Sequence, residues 1–287
     1  LDDFERYYLS FCLEAKGEGE LKIGALHKRF SHGPFGEMTI GAQTLRDSKR
    51  QEIFAYFHPG DLKPPLNIYF SGYRPAEGFE GFVMMRRMGS PFILFSDPRL
   101  EGGSFYMGSQ ELEDQIVAYI DQHLDWLGFG PKEMNFSGLS MGTFGALYYG
   151  ASYSPHAILV GKPIINLGDV AANLKFKRPD EFGTSLDMMQ LLVGQVSREG
   201  IDLLNQRFWN RFNQADLKDT ILALAYMRDD DYDQLAYPKI LEALYDHPVR
   251  IISSSRPGRH NDATAPIVEW FLTQYKEIME RDFGRIE

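Results

Sequence analysis

From Leu66 onward the apolar positions switch between short continuous runs and helical spacing. Leu66–Phe70, Pro91–Phe95, Glu133–Phe136, Ala157–Val160, Ile221–Tyr226 and Val249–Ser253 are short runs that read as buried strands, most of them flanked by Gly, Pro, Ser or Asp. Between them, Glu111–Leu127 sets Leu112, Ile116, Tyr119, Ile120, Leu124 and Leu127 on one helical face and stops at Gly128. Thr143–Tyr149, Pro238–Tyr245 and Ala265–Met279 predict further helices. Strand and helix in alternation signal a mostly parallel central sheet flanked by helices.

Two stretches depart from this rhythm. Residues 1–60 read as a β-rich preamble, with short strands expected at Leu21–His27 and Glu37–Ile40 around the turn Ser31-His32-Gly33-Pro34. Residues 166–215 are polar, helical in pattern and rich in Phe, Trp and Arg, and predict a lid-like insertion over the sheet. A length of 287 residues suits one α/β domain carrying such an insertion.

Composition removes several classes of function. A formal net charge of −10 argues against non-specific binding to nucleic acid or anionic membranes. The densest basic spots, Arg86-Arg87 and Lys175–Arg178, read as solvated faces. Cys12 is the only cysteine, so neither an internal disulfide nor a cysteine-cluster metal site is expected. That count fits a reducing compartment, and a cytoplasmic location is the expectation. No apolar run approaches a membrane span, and the acidic start Leu1–Arg6 lacks a signal-peptide core. The chain has no initiator Met and reads as part of something longer.

Candidate chemistry sits between the fourth predicted element and the next helix. Gly138-Leu139-Ser140-Met141-Gly142 has the G-x-S-x-G form of a nucleophile elbow, in which a serine stands on a tight strand-to-helix turn. The pattern alone is weak, but the strand before it and the helix after it supply the context it requires. Together they predict an α/β-hydrolase fold with Ser140 as nucleophile. The chain order in that fold is Ser, then acid, then His after the last strand. Of the seven histidines, His260 follows the strand Val249–Ser253 and precedes the last helix, so it is the expected base. The acid is expected after Ile221–Tyr226, in Asp229-Asp230-Asp231-Tyr232-Asp233. Asp230 is favoured, with Asp229 and Asp231 as alternatives and the remaining carboxylates read as a solvated turn. An oxyanion needs preorganised N–H donors, expected from Met141 and from Gly72 or Tyr73 after the strand Leu66–Phe70. Arg74, Glu77 and Glu80 follow closely and could face the pocket. Asp97 and Arg99, at the carboxyl end of the next strand, are candidates for substrate contact or for a structural pair.

Several stretches together resemble one family. They are Tyr69–Arg74, Glu77–Phe82, Asp97–Gly103, the long elbow Gly138–Gly150 and Tyr226–Asp233. They resemble the carboxyl-terminal catalytic half of the second accessory secretion protein of the accessory Sec system of Gram-positive bacteria. Capsule-biosynthesis proteins share a similar elbow. The resemblance implies a cytoplasmic enzyme that O-acetylates N-acetylhexosamine sugars on serine-rich-repeat adhesins before export, in complex with companion accessory proteins. It implies Ser140 and His260 as triad members, with the acid in the Asp229–Asp231 run where some members carry Glu. No bound cofactor is expected, and the acetyl donor stays open, acetyl-CoA being one candidate.

Three functions compete: a carbohydrate O-acetyltransferase, an esterase with water as acceptor, and a non-catalytic secretion factor with a vestigial triad. Fold alone does not choose among them. Phe176, Phe182, Phe208 and Trp209 of the expected lid could stack on sugars, although most are expected to pack the lid itself.

Overall fold

The structure, a computed structural model, describes residues 14–20, 41–74, 78–100, 103–177 and 181–285. The two strands expected at 21–27 and 37–40 lie outside the described residues.

Eight strands form one mixed sheet in the order β1-β2-β4-β3-β5-β6-β7-β8. They are β1 (Gln43–Arg46), β2 (Glu52–His58), β3 (Leu66–Phe70), β4 (Phe92–Ser96), β5 (Met134–Leu139), β6 (Ala157–Gly161), β7 (Ile221–Met227) and β8 (Arg250–Arg256). The pairs β1–β2 and β2–β4 are antiparallel, and the others are parallel. Strands β1 and β2 belong to the segment read as a preamble. Their polar–apolar mixture (QTLR, EIFAYFH) hides them from a search for apolar runs.

The central strands read as continuous apolar runs because helices cover both faces. Successive β3 side chains point to opposite sides. Ile68 and Phe70 join one core cluster with Phe136, Val160, Leu222 and Leu224, whereas Tyr69 joins a second with Leu94, Leu159, Phe271 and Tyr275. The first is covered by α2 (Gln110–Leu127) and α3 (Met141–Gly150), the second by α1 (Phe82–Arg87) and α9 (Thr264–Phe283). Helix α2 starts where the Ser109 hydroxyl accepts the Leu112 N–H and stops at Gly128, whose φ of 72° suits glycine.

Between β6 and β7 the chain forms α4 (Leu167–Ala172), α5 (Leu174–Lys177), α6 (Ser185–Val193) and α7 (Arg198–Phe212). This insertion is pinned to the body. Arg207 donates to the Gly108 carbonyl at 3.0 Å and pairs with the buried Glu113 of α2. Phe208 packs at a tilt on Phe144 of α3, with ring centroids 5.4 Å apart. Among the described residues of the insertion, Glu181–Thr184 line the cavity at Ser140. After β7 comes α8 (Ala236–Ala243).

At the opposite ends of the strands, His156 at the entry to β6 meets Asp282 near the end of α9, at 2.8 Å. The bond from Arg281 holds the Asp282 carboxyl down to about 2, against the opposing effect of burial and with further help from His156. A carboxyl depressed in the folded state contributes stability above its unfolded value and loses it as pH falls through the folded one. Asp282→Asn should therefore cost up to about 1 kcal/mol at neutral pH. In urea titrations the gap from the parent protein should close between the ordinary aspartate value of 3.8 and about 2. A gap that stays constant across that range would show that the pair does not contribute through charge.

Candidate active site

The site is built on the turn from β5 into α3. Ser140 has φ 52° and ψ −120°, a conformation that a residue with a Cβ adopts only under constraint. Two glycines make room for it. A Cβ on Gly138 would stand 2.3 Å from the Gly142 carbonyl oxygen, and one on Gly142 would stand 2.0 Å from the Phe70 oxygen. The Ser140 N–H is held by the Gly161 carbonyl of β6 at 2.8 Å. The hydroxyl is thereby lifted to the carboxyl end of the sheet, at the amino end of α3, where unpaired N–H groups favour negative charge.

His260 comes from the loop between β8 and α9, and Asp230 from the loop after β7. Ser140 Oγ lies 2.8 Å from His260 Nε2, and His260 Nδ1 lies 2.7 Å from Asp230 Oδ2. The imidazole is 2% exposed and the aspartate 3%, so water competes little for either bond. Serine, imidazole and carboxylate in that series can activate a hydroxyl for attack on an acyl carbon.

The acidic run is not the solvated turn expected around its one functional member. Asp229 Oδ2 accepts the Gly258 N–H at 3.2 Å. Asp230 Oδ1 accepts the N–H groups of Tyr232 and Asp233, which fixes the carboxylate that faces His260. Asp231 accepts the His260 N–H at 3.0 Å and pairs with Arg259 at 2.6 Å. Burial alone would raise its carboxyl, yet these bonds hold it below the ordinary aspartate value. Asp233 is buried and accepts the Ile165 and Asn166 N–H groups, tying the run to the start of the insertion. Burial leads among the influences on its carboxyl and keeps it above the ordinary value. The run thus fastens the two loops that carry acid and base.

Of the expected oxyanion donors, Met141 opens α3, where an N–H has no partner within the helix. The Gly72 N–H is committed elsewhere, because it donates to Glu80 Oε2 at 2.7 Å. That leaves Tyr73 of the expected pair, and Tyr73 lines the cavity at Ser140. The cavity measures about 520 Å³ and is walled by residues that include Phe105, Met141, Glu181, Phe182 and Tyr232.

The family model of the accessory Sec system GspB-transporter, Asp2, matches residues 3–285. The accessory Sec system protein Asp2 of Staphylococcus aureus is 50% identical over 98% of this chain and 54% of its own length. The chain belongs to the Asp2 family.

It spans about half the length of that curated relative. Among solved structures, the glycosylation-associated protein (Gap123) complex from Streptococcus agalactiae matches 87% of this chain and 48% of the matched chain, with TM-score 0.84 and 46% identity. The capsule O-acetyltransferase of Neisseria meningitidis serogroup A matches 86% of this chain and 97% of its own, with TM-score 0.65 and 18% identity. The second likeness shows a shared fold, that of the α/β-hydrolases.

Within this Asp2-family chain, three expected substrate contacts fall elsewhere. Asp97 and Arg99 face each other at 2.7 Å, and both side chains are nearly excluded from solvent. Asp97 also accepts the Ser104 and Tyr106 N–H groups, while Arg99 reaches Gln51. Their charges are spent on fastening the loop after β4. Arg74 is not among the described residues lining the cavity; it donates to the Phe79 carbonyl at 3.4 Å. Of the four aromatic residues, Phe182 lines the cavity, Phe208 and Trp209 pack inside, and Phe176 is exposed.

Two residues escaped the sequence reading. Glu181 reaches the cavity wall from the insertion. Lys162, 5% exposed, follows β6 with φ 60° and donates to Thr264 Oγ1 at 3.0 Å, joining the β6 end to the first residue of α9. Burial pushes its ammonium below the ordinary lysine value, against the upward pull of Asp230 and Glu80. An apolar run ending in Gly161-Lys162 carries no signal that the lysine turns inward.

The three neighbouring aspartates should separate in an assay of small-ester hydrolysis. Asp230→Asn should lose on the order of 10⁴-fold in rate. Asp229→Asn should stay near normal, and Asp231→Asn should fall between, since it holds only the backbone of His260. Full activity of Asp230→Asn would place the acid elsewhere.

Proposed function

We propose that this protein is a serine-dependent acyltransferase that O-acetylates N-acetylhexosamine sugars on a serine-rich-repeat adhesin, in the cytoplasm and in company with accessory secretion proteins. The observation that carries the reading is the continuous series Ser140 Oγ to His260 Nε2 at 2.8 Å and His260 Nδ1 to Asp230 Oδ2 at 2.7 Å, opening on a cavity. Membership of the Asp2 family supports the export setting. The Gap123 likeness supports companion proteins.

The chemistry runs in two steps. Ser140 Oγ attacks the acetyl carbon of the donor, of which acetyl-CoA is one candidate, and its proton passes to His260 Nε2. The tetrahedral oxyanion lies against the N–H groups of Met141 and Tyr73. The donor bond breaks, the proton goes to the leaving group, and acetyl-Ser140 remains. A sugar hydroxyl then attacks, giving its proton to His260. The acetyl–Oγ bond breaks, and that proton returns to Ser140. Asp230 holds the imidazole tautomer and stabilises the imidazolium formed in each step.

Water is the competing nucleophile, so slow hydrolysis of a small ester accompanies transfer and does not discriminate. The acceptor does. The intact mass of a co-expressed glycosylated adhesin should show acetyl additions with the parent protein and none with Ser140→Ala. A fluorophosphonate probe should label Ser140 and spare the variant. Labelling of Ser140 with identical glycan masses would make the protein a hydrolase, and no labelling of folded protein would leave an export factor.

A further inference from the structure

The cavity beside Ser140 carries a carboxylate that the reaction above does not use. Glu181 comes from the insertion, not from the loops that supply the triad. Its Oε2 accepts the Tyr232 hydroxyl at 3.0 Å and the Asn261 side-chain amide at 3.2 Å. Tyr232 sits two residues after Asp230, and its ring centroid is 4.6 Å from that of His260. Asn261 directly follows His260. The carboxylate is therefore aimed by one residue from the acid loop and one from the base loop. Among the described residues both of these bonds fall on Oε2, and Glu181 lines the cavity with acceptor capacity left at its other oxygen.

An aromatic wall adjoins it. Phe182 stands between Phe105, at 5.8 Å, and Tyr232, at 6.5 Å with planes 18° apart. Among the described lining residues Glu181 is the one acidic group, and neither Lys nor Arg lines the cavity. A carboxylate with an open acceptor oxygen selects ligands rich in O–H and N–H donors, and it repels ligands that bring their own negative charge. Flat aromatic faces beside a polar anchor suit the C–H face of a pyranose ring.

We infer that Glu181, with the wall formed by Phe182 and Tyr232, is the anchor of the acceptor subsite: it takes an uncharged sugar through paired hydroxyl or amide donors and excludes sugars that carry a carboxylate or phosphate. The inference rests on the acyltransferase reading for its purpose, but its test reads binding and not turnover. A sugar held on Glu181 lies next to His260, the group that must take the proton of the attacking hydroxyl. Glu181 thereby sets which sugar reaches Ser140.

The experiment uses the full-length protein with Ser140→Ala, so that no transfer occurs, and ligand-observed NMR titration. The probes are methyl N-acetylglucosaminide and the same glycoside with its C6 carbon oxidised to a carboxylate. The neutral sugar should bind about tenfold or more tightly than its acidic counterpart, as expected when a site charge opposes the ligand's. Adding Glu181→Gln keeps an acceptor for Tyr232 and Asn261 but removes the charge. It should weaken the neutral sugar by about fivefold and reduce the discrimination to below about threefold, because a charged acceptor makes the stronger bond. A residue that merely braced the loops would weaken both sugars alike and leave their ratio unchanged. Equal binding of the two sugars before the Glu181 change, or an unchanged ratio after it, overturns the inference. The first of these comparisons needs no Glu181 variant, so it stands even where Glu181→Gln fails to fold. A protein that discriminates through Glu181 yet never acetylates a glycan would refute the acyltransferase reading alone. One that acetylates glycans with an unchanged ratio would refute this inference alone.

Discussion

The site depends on a backbone that cannot relax. Ser140 is held at φ 52° by a turn whose neighbours approach within distances that no side chain would tolerate. Glycine at 138 and 142 lets β5 and α3 meet against β3, and the Gly161 carbonyl fixes the serine N–H from the other side. The strain is confined to one residue, and packed strands on both sides supply the constraint. Loosening that contact would drop the hydroxyl back toward the sheet and out of reach of His260.

Around this rigid centre, the groups that complete the site arrive on loops, and the loops are fastened by charge and hydrogen bonds. The acidic run does most of the fastening. Asp229 takes the Gly258 N–H, Asp230 the His260 imidazole, Asp231 both the His260 N–H and Arg259, and Asp233 the Ile165 N–H at the start of the insertion. Lys162 adds a bond from the β6 end to Thr264. A buried imidazole keeps its geometry only if the loop bearing it is held at several points. The insertion closes one side of the cavity and is itself anchored through Arg207 and Phe208, so it presents Glu181 and Phe182 from a fixed base.

The proposed transfer requires room for a second substrate beside Ser140 and His260. The serine and imidazole lie at the foot of a walled cavity in which a second substrate can displace water. The insertion contributes Glu181–Thr184 to the cavity wall, and it is a part of the fold that can change without disturbing the sheet.

The sequence by itself determined the sheet order of chemistry: strand, elbow serine, acidic run after β7, histidine after β8. Those features are local. An apolar run is buried on both faces wherever it sits, and the G-x-S-x-G spacing encodes its own tight turn. The antiparallel strands β1 and β2 at one side of the sheet were hidden because a half-exposed antiparallel strand mixes polar and apolar residues and owes its pairing to distant neighbours. Tertiary structure alone decided which charged groups face the cavity. Asp97 and Arg99 look as eligible as Glu181 in the sequence, yet they satisfy each other, while Gly72 gives its N–H to Glu80. Glu181 lies about fifty residues from Tyr232 and eighty from Asn261, and only folding brings these three together. The direction in which a side chain spends its hydrogen bonds is set by contacts far along the chain, and no local pattern carries that information.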